Sequence, residues 1–167
     1  MASTYEKIAT TTLGSATGTV TFSSITGSYT DLVLICNIAQ AAGNNGLRVR
    51  YNSDSGSNYS YTTVNGSGTT ASSGSGSSET QLVIANTSGS TTLELAIIAN
   101  IFNYSNTTTY KTSLGRGNRA SSNVDATVGL WRSTAAITSI ELALGASFPT
   151  NNFAAGCTFT LYGIKAE

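Results

Sequence analysis

The feature of this sequence that most constrains the fold is an alternation of apolar and polar residues with a period of two. Leu47, Val49 and Tyr51 alternate with Arg48 and Arg50, which is typical of a β-strand with one buried face. The same alternation recurs over residues 19–23, 93–101, 124–131, 139–144 and 157–162, and further candidate strands are 59–64, 80–85 and 107–114. No window combines a helical period with a cap. The sequence therefore predicts an all-β chain.

Clusters of Gly, Asn and Ser separate these segments, as at residues 26–28, 42–46 and 52–56. Such residues form tight turns between strands. Many short strands at regular spacing predict an antiparallel β-sandwich or barrel, and we favour a jelly-roll-like β-sandwich. With 167 residues, the chain has the length of one domain, 1–167, in which we expect 1–16 to be an amino-terminal arm.

Residues 65–78 are low in complexity, consisting of Gly, Ser, Thr, Ala and one Asn. We interpret them as a flexible exposed loop, because they contain no large apolar anchor. The alternative is a loop that becomes ordered against a partner.

The strand faces also predict the core and an interface. We expect the core to include one apolar face from each of four strands: Leu32, Leu34, Leu95, Ile97, Val128, Leu130, Phe159 and Leu161. Segments 31–38 and 92–102 carry apolar residues on the opposite face as well, namely Val33 and Ile35, and Ile98 and Phe102. Because the outer face of an antiparallel sheet is usually polar, these residues predict a homo-oligomer.

Charge and hydropathy exclude two classes of partner. The net charge is +0, which argues against nucleic acid and anionic membranes as partners. The longest apolar stretches, such as 32–36 and 95–99, are far shorter than the ~20 residues of a membrane helix. The first residues lack the pattern of a secretory signal, so we expect a protein that is not exported by that route.

Catalytic and metal-binding motifs are also missing from the sequence. The chain contains no His, which removes the usual general base and the commonest metal ligand. No phosphate loop, dinucleotide fingerprint or zinc spacing occurs, so we predict a protein that is not an enzyme and has no cofactor, catalytic residue or metal site. The remaining catalytic alternative is a glycosidase-type carboxylate pair, drawn from Asp54, Glu79, Glu94, Asp125 and Glu141.

Two further features are open to a functional reading. Residues 52–58 resemble a calcium loop but lack its first ligand and its downstream Glu, so a hairpin turn with Asx-type caps is the better interpretation. Cys36 and Cys157 lie in apolar strand patterns and are expected to be free, with a disulfide as the alternative.

Two groups of residues are candidate contacts for a partner or a glycan. Arg116 and Arg119 form a small basic cluster in a Gly-containing loop, which could meet an acidic patch or a phosphate. Tyr59, Tyr61 and Trp131 are aromatic residues that could stack on a sugar, although most aromatics in such a chain are expected to be core or interface residues.

Several stretches resemble one family of proteins. They are residues 5–16, 20–25 and 29–34 at the start, 47–52 and 56–60 in the first half, and 153–165 at the end. In this order they resemble tailed-bacteriophage virion proteins, whose members are β-sandwich modules used for capsid decoration or in tail fibres and baseplates. Residues 65–100 carry no resemblance.

The resemblance implies a structural role in a bacteriophage particle. We expect a capsid decoration (cement) protein that binds the major capsid protein or other virion proteins, located in the virion and made in the host cytoplasm. The resemblance also implies a trimer as the form of the homo-oligomer. The alternative is a carbohydrate-binding receptor module of the tail fibre or baseplate.

Overall fold

The computed structural model describes residues 4–42, 46–86 and 90–165. These residues form twelve strands and no helix, which confirms the all-β prediction. The strands are β1 (Tyr5–Thr12), β2 (Thr19–Phe22), β3 (Asp31–Ile38), β4 (Leu47–Tyr51), β5 (Tyr59–Gly66), β6 (Ala71–Glu79), β7 (Leu82–Ala85), β8 (Leu95–Phe102), β9 (Lys111–Arg119), β10 (Asn123–Trp131), β11 (Ile140–Leu144) and β12 (Thr158–Ile164).

The strands form two antiparallel sheets, as a β-sandwich requires. The large sheet has eight strands in the order β1-β12-β3-β8-β9-β10-β5-β6, and the small sheet has four in the order β2-β11-β4-β7. When the hairpins β5–β6 and β9–β10 are set aside, successive strands pass from one sheet to the other, except that β4 and β7 both lie in the small sheet. The sandwich is confirmed, whereas the jelly-roll detail stays a prediction.

The core lies between the inner faces of the two sheets. Six of the eight predicted core residues are buried there: Leu32, Leu34, Leu95, Ile97, Phe159 and Leu161. The small sheet contributes Leu47, Val49 and Leu142, which are also buried. Period-two alternation thus predicted the buried face of most strands correctly, because each of these strands has one clearly apolar face.

The prediction was wrong for β10, where Val128 is exposed and Leu130 is only half-buried. The buried face instead carries Asp125, Thr127, Gly129 and Trp131. The physical reason is a close approach of β7 to the inner surface of β9 and β10. A Cβ at Gly115 would lie 1.9 Å from the Ile84 carbonyl oxygen, and one at Gly129 would lie 2.6 Å from Leu82 Cδ1. There is no room for large side chains at these positions, so the apolar residues of β10 point outwards.

The predicted loop at 65–78 is also wrong. Residues 65 and 66 end β5, and residues 71–78 belong to β6, which pairs with β5 and forms one edge of the large sheet. The residues are small and mostly exposed, so their strand conformation depends on backbone hydrogen bonds to β5 and not on side-chain burial. Low side-chain complexity therefore gave a misleading signal.

Three smaller expectations need correction. Residues 5–12 of the predicted arm form β1, which pairs with β12 as the other edge strand of the large sheet. Leu93, predicted to lie on the buried face of its strand, precedes β8 and is exposed. The strand expected at 107–114 begins at Lys111 and extends to Arg119.

Candidate functional site: the outer face of the large sheet

The candidate functional site is the outer face of the large sheet, which is apolar where an outer face is usually polar. Five of its side chains are between 37% and 57% exposed: Ile35, Val64, Ile98, Val124 and Val128. Leu114 and Leu130 lie on the same face and are half-buried. We call the surface formed by these seven residues, together with Ala126 and Arg116, the outer face.

Strand register brings the outer face together from five neighbouring strands. Ile35 on β3 pairs with Ile98 on β8, which pairs with Arg116 on β9. Arg116 pairs in turn with Ala126 on β10, and Ala126 pairs with Val64 on β5. These four strand spacings extend over about 19 Å, and β10 from Val124 to Leu130 adds about 20 Å in the other direction. The patch is therefore about 400 Å², within the size range of functional patches on protein surfaces.

A groove runs along the β6 side of this patch. One hollow of about 670 Å³ lies between β6 and the side chains of Val64, Val124 and Arg116. A second hollow of about 460 Å³ lies further along the same strands, beside Val128 and Leu130. The groove exists because β6 presents only Ala, Ser and Gly next to the larger side chains of β5 and β10. Its shape can accept apolar side chains of a partner.

The two arginines of the predicted basic cluster lie apart, on a strand and not in a loop. Arg116 is exposed on the outer face. Arg119 lies three residues after Arg116, so strand alternation places its side chain on the opposite face of the sheet. There its Nε lies 2.7 Å from Glu94 Oε1. Glu94 also accepts a hydrogen bond from the Ser90 hydroxyl at 2.7 Å. These hydrogen bonds, from Ser90 first and then Arg119, lower the pKa of Glu94 to about 2.

The predicted sugar-stacking platform does not form on the surface. Tyr59 and Trp131 are buried, with their rings stacked at a centroid distance of 6.3 Å. Tyr51 packs against both rings, so the cluster belongs to the core. Tyr61 is half-buried beside the second hollow. The platform prediction is therefore wrong for two of its three residues, because both lie on the inward face of their strands.

The calcium-like segment is a turn between the two sheets, from β4 to β5, and not a hairpin. The Asp54 carboxylate accepts hydrogen bonds from the Gly56 backbone N–H at 2.8 Å, Asn58 Nδ2 at 2.9 Å and Trp131 Nε1 at 2.7 Å. The bond to Gly56 is the predicted Asx-type cap. These donors lower the pKa of Asp54 against the opposing effect of burial, which is the largest single cause. The carboxylate is thus used to fix the turn.

The other candidate carboxylates lie on separate elements. Glu79 ends β6, Glu94 precedes β8, and Glu141 lies on β11 opposite Arg50. Asp125 is buried on β10 and accepts a hydrogen bond from the Asn86 backbone N–H. Within residues 4–42, 46–86 and 90–165, no three His, Cys, Asp or Glu residues cluster as metal ligands.

The two cysteines are buried and free, not joined in a disulfide. Burial raises the pKa of the Cys36 thiol, and the neighbouring Cys157 raises it further. The Cys157 thiol donates a hydrogen bond to the Ala39 carbonyl oxygen at 3.2 Å. Both residues behave as small apolar core residues, as the sequence predicted.

The sequence matches no protein-family model and no curated protein. Nor does the described part of the chain contain a helix with the length and apolar character needed to span a membrane.

Proposed function

We propose that this chain is a structural protein of a bacteriophage particle, most specifically a capsid decoration protein that docks on the head through the outer face. The observation that carries the proposal is the exposed apolar patch around Ile35, Ile98 and Val128. A patch of this size is a common feature of protein–protein docking surfaces. The sparse charge of the chain, 10%, supports the same reading, because desolvating hydroxyls costs less than desolvating ions.

The fold supports the proposal at the level of architecture. Without the two added hairpins, the sheets have the orders β1-β12-β3-β8 and β2-β11-β4-β7, and every chain step except that from β4 to β7 crosses between them. We infer a jelly roll from this alternation, and jelly rolls occur in viral capsid proteins among other proteins. The role itself is inferred from the sequence resemblance to virion proteins, because fold does not imply function.

The proposal includes a homo-oligomer, with the trimer number taken from the resemblance alone. It also includes the absence of enzymatic activity and a location in the virion. Light scattering on the purified protein at micromolar concentration measures the oligomer. A trimer is the expected mass, and a monomer both in solution and on the particle would contradict this part of the proposal.

The experiment that tests the function is a measurement of copy number in purified particles, combined with binding to empty heads. A decoration protein is expected at many copies per particle and binds heads without any sugar. A few copies per particle, together with binding to a host glycan, would instead support the receptor-module alternative. The predicted aromatic platform does not support that alternative, since Tyr59 and Trp131 are buried.

A further inference from the structure

Arg116 lies in the interior of the outer face with apolar neighbours on both adjacent strands. Ile98 is its cross-strand partner on β8, and Ala126 is its partner on β10. The next outward residues on β10 are Val124 and Val128, and both are more than half exposed. Within the described part of the chain, the Arg116 side chain makes no hydrogen bond or ion pair, whereas the Arg119 side chain pairs with Glu94.

A partner that covers this face removes water from the Arg116 guanidinium. Burying an unpaired charge is costly, so the covering surface must supply acceptors for its N–H groups. The planar fork of a guanidinium matches a carboxylate through two parallel hydrogen bonds. A partner surface that is apolar but has no carboxylate would gain binding free energy by covering Ile98 and Val128. It would lose binding free energy by burying the Arg116 charge without a partner.

A second copy stacked face to face does not meet this requirement. Such a contact is isologous, so a two-fold axis near the centre of the face brings the two Arg116 side chains towards each other. Like charges facing each other disfavour the pairing. The whole outward surface of the large sheet measures about 34 Å by about 23 Å, or roughly 800 Å². This area equals what one partner typically buries in a stable complex, so a single different protein can cover it.

We infer that the outer face binds a different protein, whose docking surface is apolar and carries a carboxylate that pairs with Arg116. The inference rests on the proposed function and names the chemistry of its partner. Val64, Val124 and Val128 bury apolar surface along the groove, and Arg116 selects the partner that has the carboxylate. An Arg inside an apolar ring is a typical hot spot of a protein interface.

The test uses heads that lack this chain, prepared from a phage in which its gene has been deleted. Binding of the purified wild-type chain to these heads is compared with binding of Arg116→Gln, Arg116→Glu and Arg116→Lys. Arg119→Gln is the matched control, because Arg119 lies on the same strand but pairs with Glu94. Val128→Asp tests the apolar part of the face, and thermal unfolding shows that each variant is folded.

The expected result is a loss of about 10- to 100-fold in affinity for Arg116→Gln, with a larger loss for Arg116→Glu and a smaller one for Arg116→Lys. Arg119→Gln should bind like the wild type. If Val128→Asp abolishes binding while all Arg116 variants bind normally, the carboxylate inference is wrong and the docking face stands. If the wild-type chain does not bind heads at all, the proposed function fails. A homo-oligomer in solution, whether dimer or trimer, that Val128→Asp dissociates would assign the face to another copy of the chain and overturn the inference.

Discussion

Ile35 on β3 and Ile98 on β8 lie directly opposite each other in the large sheet, and both side chains point away from the core. An exposed cross-strand pair of large aliphatic residues costs solubility and contributes little to folding. The Ile35–Ile98 pair shares its face with Val64, Val124 and Val128, which indicates a surface that another protein covers.

The first prediction compares a core residue with an outer-face residue. Leu95→Ala should lower the free energy of unfolding by about 2–5 kcal/mol, because Leu95 is fully buried and its truncation leaves a cavity. Val128→Thr should change it by less than about 1 kcal/mol, since Val128 is 54% exposed and threonine keeps the β-branched shape that suits a strand. Urea unfolding of both variants measures the difference. Equal losses would mean that Val128 belongs to the core after all.

The second prediction concerns the close approach of β7 to β9. Gly115→Ala should destabilise the protein by at least about 2 kcal/mol, because the new Cβ would overlap the Ile84 carbonyl oxygen. Gly74→Ala on β6 is the matched control, since its Cβ would meet the Thr63 methyl at an ordinary 3.7 Å. Denaturant midpoints of the two variants test the packing. A stable Gly115→Ala protein would show that the two sheets are further apart at this point.

The same close approach explains where sequence reasoning succeeded and where it failed. Strand positions and the buried faces of β3, β8 and β12 could be predicted, because each has one apolar face. The face of β10 could not be predicted from apolar alternation alone, because the neighbouring backbone decides which face has room for side chains. A signal was present in the alternating Gly115 and Gly117 and in Trp131, which lies on the less apolar side of its strand.

Only part of the outer face could be predicted from the sequence, because the rest depends on which face of β10 points outwards. The second apolar faces of 31–38 and 92–102 led to Ile35 and Ile98, but the valines of β5 and β10 were missed. Val128 and Leu130 were expected in the core, and Val64 carried no signal of its own. Only the register between β5, β9 and β10 shows that these residues share one surface with Arg116.

The third prediction is a pH dependence that arises from Glu94. Its pKa is lowered from 4.5 to about 2 by hydrogen bonds from Ser90 and Arg119. The ionised form therefore stabilises the folded state above the unfolded pKa, and this contribution is lost as the pH falls from about 5 towards 2. Glu94→Gln should flatten the fall of the melting temperature over this range. An unchanged pH profile in Glu94→Gln would show that Glu94 makes no such contribution.

The fourth prediction concerns the thiols. Because Cys36 and Cys157 are buried and the pKa of Cys36 is raised, neither should react with a thiol reagent in the native protein. Both should react once the protein is unfolded in denaturant, giving two thiols per chain. Rapid labelling of the native protein would contradict the burial, and a count below two after unfolding would indicate a disulfide.

The central claim is that another protein of the particle covers the outer face. A cryo-electron microscopy reconstruction of the intact particle tests it most directly, because it shows which surface of the chain is buried at its attachment site. The account predicts Ile98, Arg116 and Val128 in contact with a different virion protein, with a carboxylate beside Arg116. An outer face that points into solvent on a particle where the chain is attached by another surface would contradict it.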